Sequence, residues 1–368
     1  MDAFCILFAD TFKNHDIAGF VKNRSMASLH VGCRYRMVDF MLSSLVKSSV
    51  PNIAILTTKN YNSLMDHVGW GKDWDLNRKN SGLKIIPPLA ISNTEIPRNK
   101  FEALVNAESY IDSMLQDYCI ISDSNIICDI DFAEVLDFHK KNHADITVLC
   151  TKAKPRPGDI EMMVDHKSRA YDSLYHQYGA KYECNALLKI TVMHKELLKK
   201  IIQKGNTLGW EDIVRDYISK NFNKLNVYSY NVNGYCKVIE NLDSYFQFNM
   251  DLLNEEISQE IFLSGTEILT RVKDSVPTVY GKNASVKNSL LADGSHINGE
   301  VENSIIFRDV TIEEGASVKN SILMSGTVIK SGAKLDYVIS DKLVTVRENK
   351  ELKGDKSCQF TIPKGKII

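Results

Sequence analysis

The segment Asn288-Ser-Leu-Leu291 returns as Asn303-Ser-Ile-Ile306, then as Asn320-Ser-Ile-Leu323, then as Asp336-Tyr-Val-Ile339, at offsets of 15, 17 and 16 residues. Small and turn-forming residues recur between these runs: Gly281-Lys-Asn-Ala284, Asp293-Gly294, Glu314-Gly315-Ala316 and Ser331-Gly332-Ala333. Short β-branched runs at near-constant spacing, punctuated by Gly and Asn, predict a parallel β-helix. Each coil buries a few Val, Ile or Leu and turns tightly at small residues. A β-sandwich would alternate more cleanly and show no repeat. The β-helix is expected over residues 277–368, with Pro277 at its entry and residues 257–276 as linker.

Upstream, residues 1–256 have a different texture. Apolar runs at Phe4–Phe8, Ile53–Thr57, Tyr118–Ser122, Ile146–Thr151, Ala186–Ile190 and Val227–Asn231 read as strands. Amphipathic stretches at Tyr35–Ser48, Phe101–Leu115, Phe132–Asn142, Met193–Gly205 and Trp210–Lys220 read as helices, and Phe246–Glu260 as a closing helix. Strands alternating with helices predict an α/β domain with a mostly parallel sheet covered on both faces. Ligands of such sheets bind beyond the C-terminal strand ends.

The 368 residues carry 45 Lys and Arg against 46 Asp and Glu, a formal net charge of −1. That balance gives no global reason to bind nucleic acid or an anionic membrane. No apolar run reaches the ~18 residues of a membrane span. The N-terminus, Met1-Asp2-Ala3-Phe4, lacks the basic start of a secretion signal. The eight cysteines form no C-x-x-C pair and no Cys/His cluster with metal-ligand spacing. The expectation is a reduced, cytoplasmic protein without structural zinc.

Three longer stretches carry a resemblance. Gly32-Cys-Arg-Tyr-Arg-Met-Val-Asp-Phe40, followed by Leu42-Ser-Ser44, is similar to G-G-K-Y-R-I-I-D-F and L-S-N. Leu64-Met-Asp-His-Val-Gly-Trp-Gly-Lys-Asp-Trp-Asp-Leu76 resembles an H-I-G-x-G-x-x-W-D-L run. Leu242-Asp-Ser-Tyr-Phe-Gln-Phe-Asn-Met-Asp-Leu-Leu253 resembles L-D-A-Y-W-x-A-N-M-D-L-L. In this order they resemble the bacterial ADP-glucose pyrophosphorylase (glucose-1-phosphate adenylyltransferase) family. The resemblance covers nearly the whole chain. It implies a Rossmann-like nucleotidyltransferase domain followed by a left-handed parallel β-helix.

The departures from that family concern its chemistry. Adenylyl transfer needs backbone N–H groups close to the triphosphate, a cation for developing charge, and carboxylates that hold Mg²⁺. The family's glycine-rich loop after strand one reads Leu7-Phe-Ala-Asp-Thr-Phe-Lys-Asn-His-Asp-Ile17, with no glycine and with Asp10 in it. Lys13, Asn14 and His15 of that loop are expected to be solvated. Met26 stands where the family has a lysine, and Asn125 of Asp123-Ser-Asn125 where it has a metal-binding aspartate. The G-T-A-D-A motif reads Asn99-Lys-Phe-Glu-Ala103, and W-R-D-V-G-T reads Cys236-Lys-Val-Ile-Glu-Asn241. Asp212 keeps the second carboxylate position, and Asp123 is a candidate substitute for the first. Trp70 and Trp74 are expected to pack between helix and sheet rather than stack on a ligand.

Retained scaffold with a dismantled catalytic shell resembles the GlgD-type regulatory subunit of this family. The resemblance implies a subunit inactive or weakly active alone. It would pair with a catalytic GlgC-type subunit, which would hold the Mg²⁺, in a heterotetramer of glycogen synthesis. It also implies a sugar-phosphate or nucleotide effector site between the domains, at positions Arg24, His30, Arg34, Arg36, Lys342 and Lys364, where clustered cations suit a phosphate grip. Ion pairing of Arg34 and Arg36 with Asp39 is the structural alternative. Three other functions are weighed: an active transferase using Asp123 and Asp212 for metal, a hexapeptide-repeat acyltransferase relying on His296, and a purely structural partner that binds no effector.

Overall fold

The computed structural model describes residues 1–10, 17–58, 60–79, 81–88, 97–264 and 267–368. Lys13, Asn14 and His15 lie outside the described residues. The first domain is built on a nine-stranded sheet. Its centre is parallel: Gly82–Ile86, Asn52–Leu56, Ala3–Phe8 and Tyr118–Asp123 lie side by side in that order. Ala3–Phe8 is buried at every position, as a central strand covered on both faces must be. The long strand Cys184–His194 runs antiparallel to Tyr118–Asp123 and to Ile146–Ala153. A hairpin, Ile160–Val164 with Ala170–Tyr175, extends the sheet to its edge. Two apolar cores cover the two faces, one around Met41, Leu45 and Phe132, the other around Phe101, Ile111 and Ile202.

Most of the predicted elements form. The Tyr35–Ser48 pattern yields a helix over Met37–Lys47. It starts there because Arg36 is extended (φ −120°) and its backbone N–H donates to the Asp39 carboxylate at 2.9 Å, capping the first turn. Phe101–Leu115 is two short helices, Lys100–Asn106 and Glu108–Ser113. Trp210–Lys220 contains one α-helical turn, Ile213–Asp216, and a 3₁₀ turn. The closing helix is also divided, into Leu242–Asp251 and Glu255–Gln259.

The C-terminal domain is the left-handed β-helix, with three five-stranded parallel ladders as its faces. The inward residues Ile297, Ile312, Ile329 and Val346 stack in one line of its core. Asn288, Asn303, Asn320 and Tyr337 each turn a corner with positive φ. The register pairs Lys319 with Asp336, so Tyr337 rather than Asp336 occupies the fourth corner, and that repeat is 17 residues rather than 16. Asparagine tolerates this backbone region and its amide bonds to the next corner: Asn288 Nδ2 donates to Asn303 Oδ1 at 2.7 Å.

The two domains share a third apolar core. Phe20, Met26, Phe40 and Phe248 from one side meet Ile305, Phe307, Ile322 and Met324 from the other. Arg24 crosses the junction as an ion pair in which its Nη2 donates to both carboxylate oxygens of Asp341, at 2.7 and 2.8 Å, with both side chains buried.

Candidate functional site

Two sites lie within this frame. The first is a cleft of about 500 Å³ beside the sheet, lined by Phe8, Lys100, Tyr175, Lys189 and Asp212 among others. Asp123 ends its strand here, and Lys100 Nζ meets its carboxylate at 2.6 Å while lying 5.1 Å from the centre of the Phe8 ring. Lys189 occupies a register shift in Cys184–His194 with φ 57°, a bulge that turns its side chain toward the cleft. Its ammonium pairs with Glu240. Burial disfavours that charge, but Glu240, Asp123 and Asp212 together outweigh burial and hold the ammonium above its usual pKa.

Each expected metal position is otherwise engaged. Asn125 Nδ2 donates to the Ile239 carbonyl at 2.7 Å, a bond that a carboxylate could not make. Asp212 is a helix cap that accepts from the N–H groups of Val214 and Arg215 at 2.9 and 3.0 Å. Magnesium demands near-octahedral oxygen ligation. This site instead offers an amide turned to backbone, a capping carboxylate, and two further carboxylates, Asp123 and Glu240, each already paired with a lysine, so as arranged it does not fit that ion.

Asp10, which opens the segment that stands where the family has its glycine-rich loop, is likewise engaged. Asp10 accepts from the Met26 N–H at 2.9 Å and from the Thr58 hydroxyl at 2.6 Å. Burial still pushes its carboxyl above the usual range. Met26 faces away from the cleft into the shared core. Trp74 packs edge-on to His67 as expected, whereas Trp70, also expected to pack, is 81% exposed.

The second site is a cavity of about 340 Å³ between the domains. It is lined by six Arg and Lys side chains (Arg34, Arg36, Arg271, Lys273, Arg308, Lys342) together with His30 and His67, and among the described residues by no carboxylate. Antiparallel pairing of His30 with Arg36 places both at one end of a short ribbon. Asp39 does not pair with the Arg36 guanidinium. It takes the Arg36 N–H, the His67 ring at 2.6 Å and the Thr270 hydroxyl at 2.6 Å. The guanidinium instead donates to Ser63 O and Oγ, at 2.5 and 3.0 Å. Arg34 rests 5.6 Å from the centre of the Tyr35 ring.

No carboxylate lies within ion-pair distance of Arg34, Arg36 or Lys342 among the described residues. The electrostatic consequence is large. Burial, then Arg36 and Arg24, push Lys342 down to about 7. Burial pushes Arg36 down to about 10. His30 is held well below its usual value by burial and then by Lys342, Arg36 and Arg24, and its buried Nδ1 has no partner among the described residues. Concentrated positive charge with unused donors suits a multivalent anion such as a phosphate ester.

Thus His30, Arg34, Arg36 and Lys342 come together around one cavity. Arg24 lies beneath it, committed to Asp341. Lys364 is exposed and adds to the field on Lys342 without lining the cavity. Sequence reasoning missed His67, Arg271, Lys273 and Arg308, which come from other elements. Arg308, Ser325 and Lys342 are successive rungs of the β-helix, 17 residues apart by its register.

Comparison with known proteins follows the same division. The nucleotidyl transferase family matches residues 21–158, and the GlmU-like, C-terminal hexapeptide family matches residues 274–361. The chain is 33% identical over 358 residues to the glycogen biosynthesis protein GlgD of Bacillus subtilis (strain 168), covering 97% of this chain and 95% of that protein. It is 36% identical over 300 residues to the GlgD of Geobacillus stearothermophilus, covering 80% and 77%. It is 27% identical over 308 residues to the glucose-1-phosphate adenylyltransferase of Clostridium novyi (strain NT), covering 79% and 78%.

Proposed function

The chain belongs to the GlgD family of glycogen biosynthesis proteins, related to the glucose-1-phosphate adenylyltransferases, and from that premise we propose that it is a regulatory subunit with little or no activity of its own. Its partner is a catalytic GlgC-type subunit that makes ADP-glucose and pyrophosphate from ATP and glucose 1-phosphate. The two assemble as a heterotetramer in the cytoplasm, and an anionic sugar phosphate or nucleotide acts at the interdomain cavity. Among the described residues no helix is long and apolar enough to cross a membrane.

One observation carries the reading. The stretches that replace the family's motifs supply the charges that neutralise the old site. Lys100 lies in the degenerate Asn99–Ala103 motif and pairs with Asp123. Glu240 lies in the degenerate Cys236–Asn241 motif and pairs with Lys189. An internal ammonium thus stands among Glu240, Asp123 and Asp212, where a transferase concentrates divalent charge. The alternative transferase, with Asp123 and Asp212 as metal ligands, places the metal against the Lys100 ammonium on Asp123 and leaves Asp212 only the oxygen that does not cap its helix.

The experiment is kinetic. ADP-glucose formation is measured with the purified chain, with a catalytic GlgC-type subunit, and with both, each with and without sugar phosphates. The expected result is negligible turnover by the chain alone and altered kinetics of the partner in the mixture. Turnover by the chain alone at the rate of the mixture would overturn the reading.

A further inference from the structure

The edge hairpin holds a side-chain cluster that neither site above uses. Glu161 lies in Ile160–Val164, His176 follows Ala170–Tyr175 directly, and Cys184 opens Cys184–His194. The register pairs Glu161 with Leu174 on one side and with Ala186 on the other. His176 is two residues past Leu174, and Cys184 is two before Ala186. Strand side chains alternate between faces, so this spacing keeps all three on one face of the sheet.

The donor atoms are close together. One imidazole nitrogen, one thiol sulfur and one carboxylate oxygen all lie within 4.8 Å of one another. His176 Nε2 is 2.8 Å from Glu161 Oε2, and the Tyr182 hydroxyl donates to the same oxygen at 3.0 Å. His176 and Cys184 are buried and Glu161 is half-buried. A tetrahedral zinc ion, with bonds near 2.3 Å to sulfur and near 2.0 Å to nitrogen and oxygen, holds its ligands about 3.3–3.6 Å apart. Small side-chain shifts bring these three atoms to that spacing. A soft sulfur with an imidazole and one carboxylate suits zinc-class ions and not magnesium or calcium.

We propose that Glu161, His176 and Cys184 bind one zinc-class divalent cation, with the fourth position open on the Tyr182 side. On binding, the Cys184 S–H bond breaks, a sulfur–metal bond forms and that proton passes to solvent, while His176 ligates as neutral imidazole through its unprotonated nitrogen, the Nε2 proton moving by way of solvent to Nδ1 where Nε2 is the ligand. Glu161 changes from hydrogen-bond acceptor to ligand, and nothing is oxidised or reduced. The ion ties the Ile160–Val164 hairpin to the start of Cys184–His194. Gly158, Ile160 and Tyr175 of this region line the cleft, so the ion fixes one cleft wall. The inference is independent of the regulatory reading. Spacing along the chain hid the cluster because its three ligands come from separate strands.

The test uses the full chain, stripped of metal by chelation and titrated with Co²⁺ and then Zn²⁺. The expected result is one Co²⁺ per chain with a thiolate-to-cobalt charge-transfer band in the near ultraviolet, displaced by Zn²⁺ and untouched by equal Mg²⁺. Cys184→Ser removes the band, and His176→Ala, which removes a ligand outright, weakens binding by at least the ~10–100-fold that loss of an outer-shell partner costs. Cys358→Ser, at an exposed thiol, leaves both unchanged. Absence of the band in the wild-type chain, its survival in Cys184→Ser, or equal displacement by Mg²⁺ would each refute the site. If the variants fail to fold, alkylation of Cys184 in the wild-type chain decides. Zinc at ten times its dissociation constant slows labelling about tenfold if the site exists, and unchanged labelling refutes it.

Discussion

The cleft and the interdomain cavity are both lined by charged residues, but their charges are balanced differently. In the cleft, each lysine meets a carboxylate: Lys100 with Asp123, Lys189 with Glu240. In the cavity, Arg308 and Lys273 reach Asp293 and Asp309, but Arg34, Arg36 and Lys342 have no carboxylate within ion-pair distance among the described residues, and Lys342 is pushed down to about 7. The first site satisfies itself internally. The second keeps a surplus at Arg34, Arg36 and Lys342, which no carboxylate among the described residues pairs. Charge clustering alone therefore does not mark a ligand site. What marks it is charge without an internal counterion.

The largest test of this contrast concerns catalysis. The chain alone should make ADP-glucose at least ~10³-fold more slowly than a catalytic relative, since losing a single electrostatic donor already costs ~10²–10³. Asn125→Asp alone should recover nothing, because it sets a carboxylate against the Ile239 carbonyl and leaves Lys100 on Asp123. The same change combined with Lys100→Thr and Glu240→Gly should raise the rate measurably. Recovery from the single change would break the comparison.

The next effect is on stability. Arg24→Ala leaves the buried Asp341 carboxylate without its cationic partner, and denaturant unfolding should show a loss of ~3–5 kcal/mol. A much smaller loss would mean that Arg24 belongs to the surplus of the cavity instead.

Anion affinity comes third. Titration with a sugar phosphate, followed by calorimetry, should weaken by ~1.5–3 kcal/mol on Arg36→Ala or Lys342→Met, the usual worth of a charged hydrogen bond. Lys199→Ala, on the surface beside Asp112, should leave it unchanged.

The smallest effect is a pH dependence. A lysine ionises near ~10.4 in an unfolded chain, whereas Lys342 does so at about 7 in the folded one. The folded value is the lower one, so its charge opposes folding. That penalty is absent above the unfolded value, grows as pH falls, and is complete below the folded value. Lys342→Met should therefore stabilise the free protein in neutral and acidic solution and lose that advantage in strong alkali, as read from denaturation midpoints. A bound anion raises the Lys342 pKa, so anion affinity should fall as pH rises above about 7 in the wild type and less so in Lys342→Met.

Much of the frame was legible in the sequence because burial writes itself plainly. Ala3–Phe8 and the first five residues of Ile146–Ala153 are largely apolar runs buried on both faces. The β-helix repeats its corners, although one repeat had to move by a residue to seat Tyr337. The elements missed are the half-exposed ones. Ala170–Tyr175 alternates Tyr, Asp, Ser and Leu at the sheet edge, where Tyr171 and Tyr175 are exposed and no continuous apolar signal forms. Trp210–Lys220 carries a helical pattern, yet only Ile213–Asp216 is α-helical, with Asp212 capping it from outside.

The candidate sites were legible in the same uneven way. The motif around Arg34 and Arg36 pointed to the cavity, but Arg271 and Arg308 arrive from the linker and the β-helix with no spacing to announce them. In the cleft, each departure could be read as a loss. Their joint effect was not readable, because Lys189 and Glu240 are 51 residues apart and meet only through the fold.

The three rungs Arg308, Ser325 and Lys342 make one wall of the cavity a column in which each coil contributes a single side chain. Each coil leans only on its neighbours, so a rung can be exchanged without redrawing the rest of the prism. Ser325 is the uncharged step between two charged ones. The electrical strength of that wall can therefore be tuned in whole-charge increments by single codon changes while the scaffold stays the same.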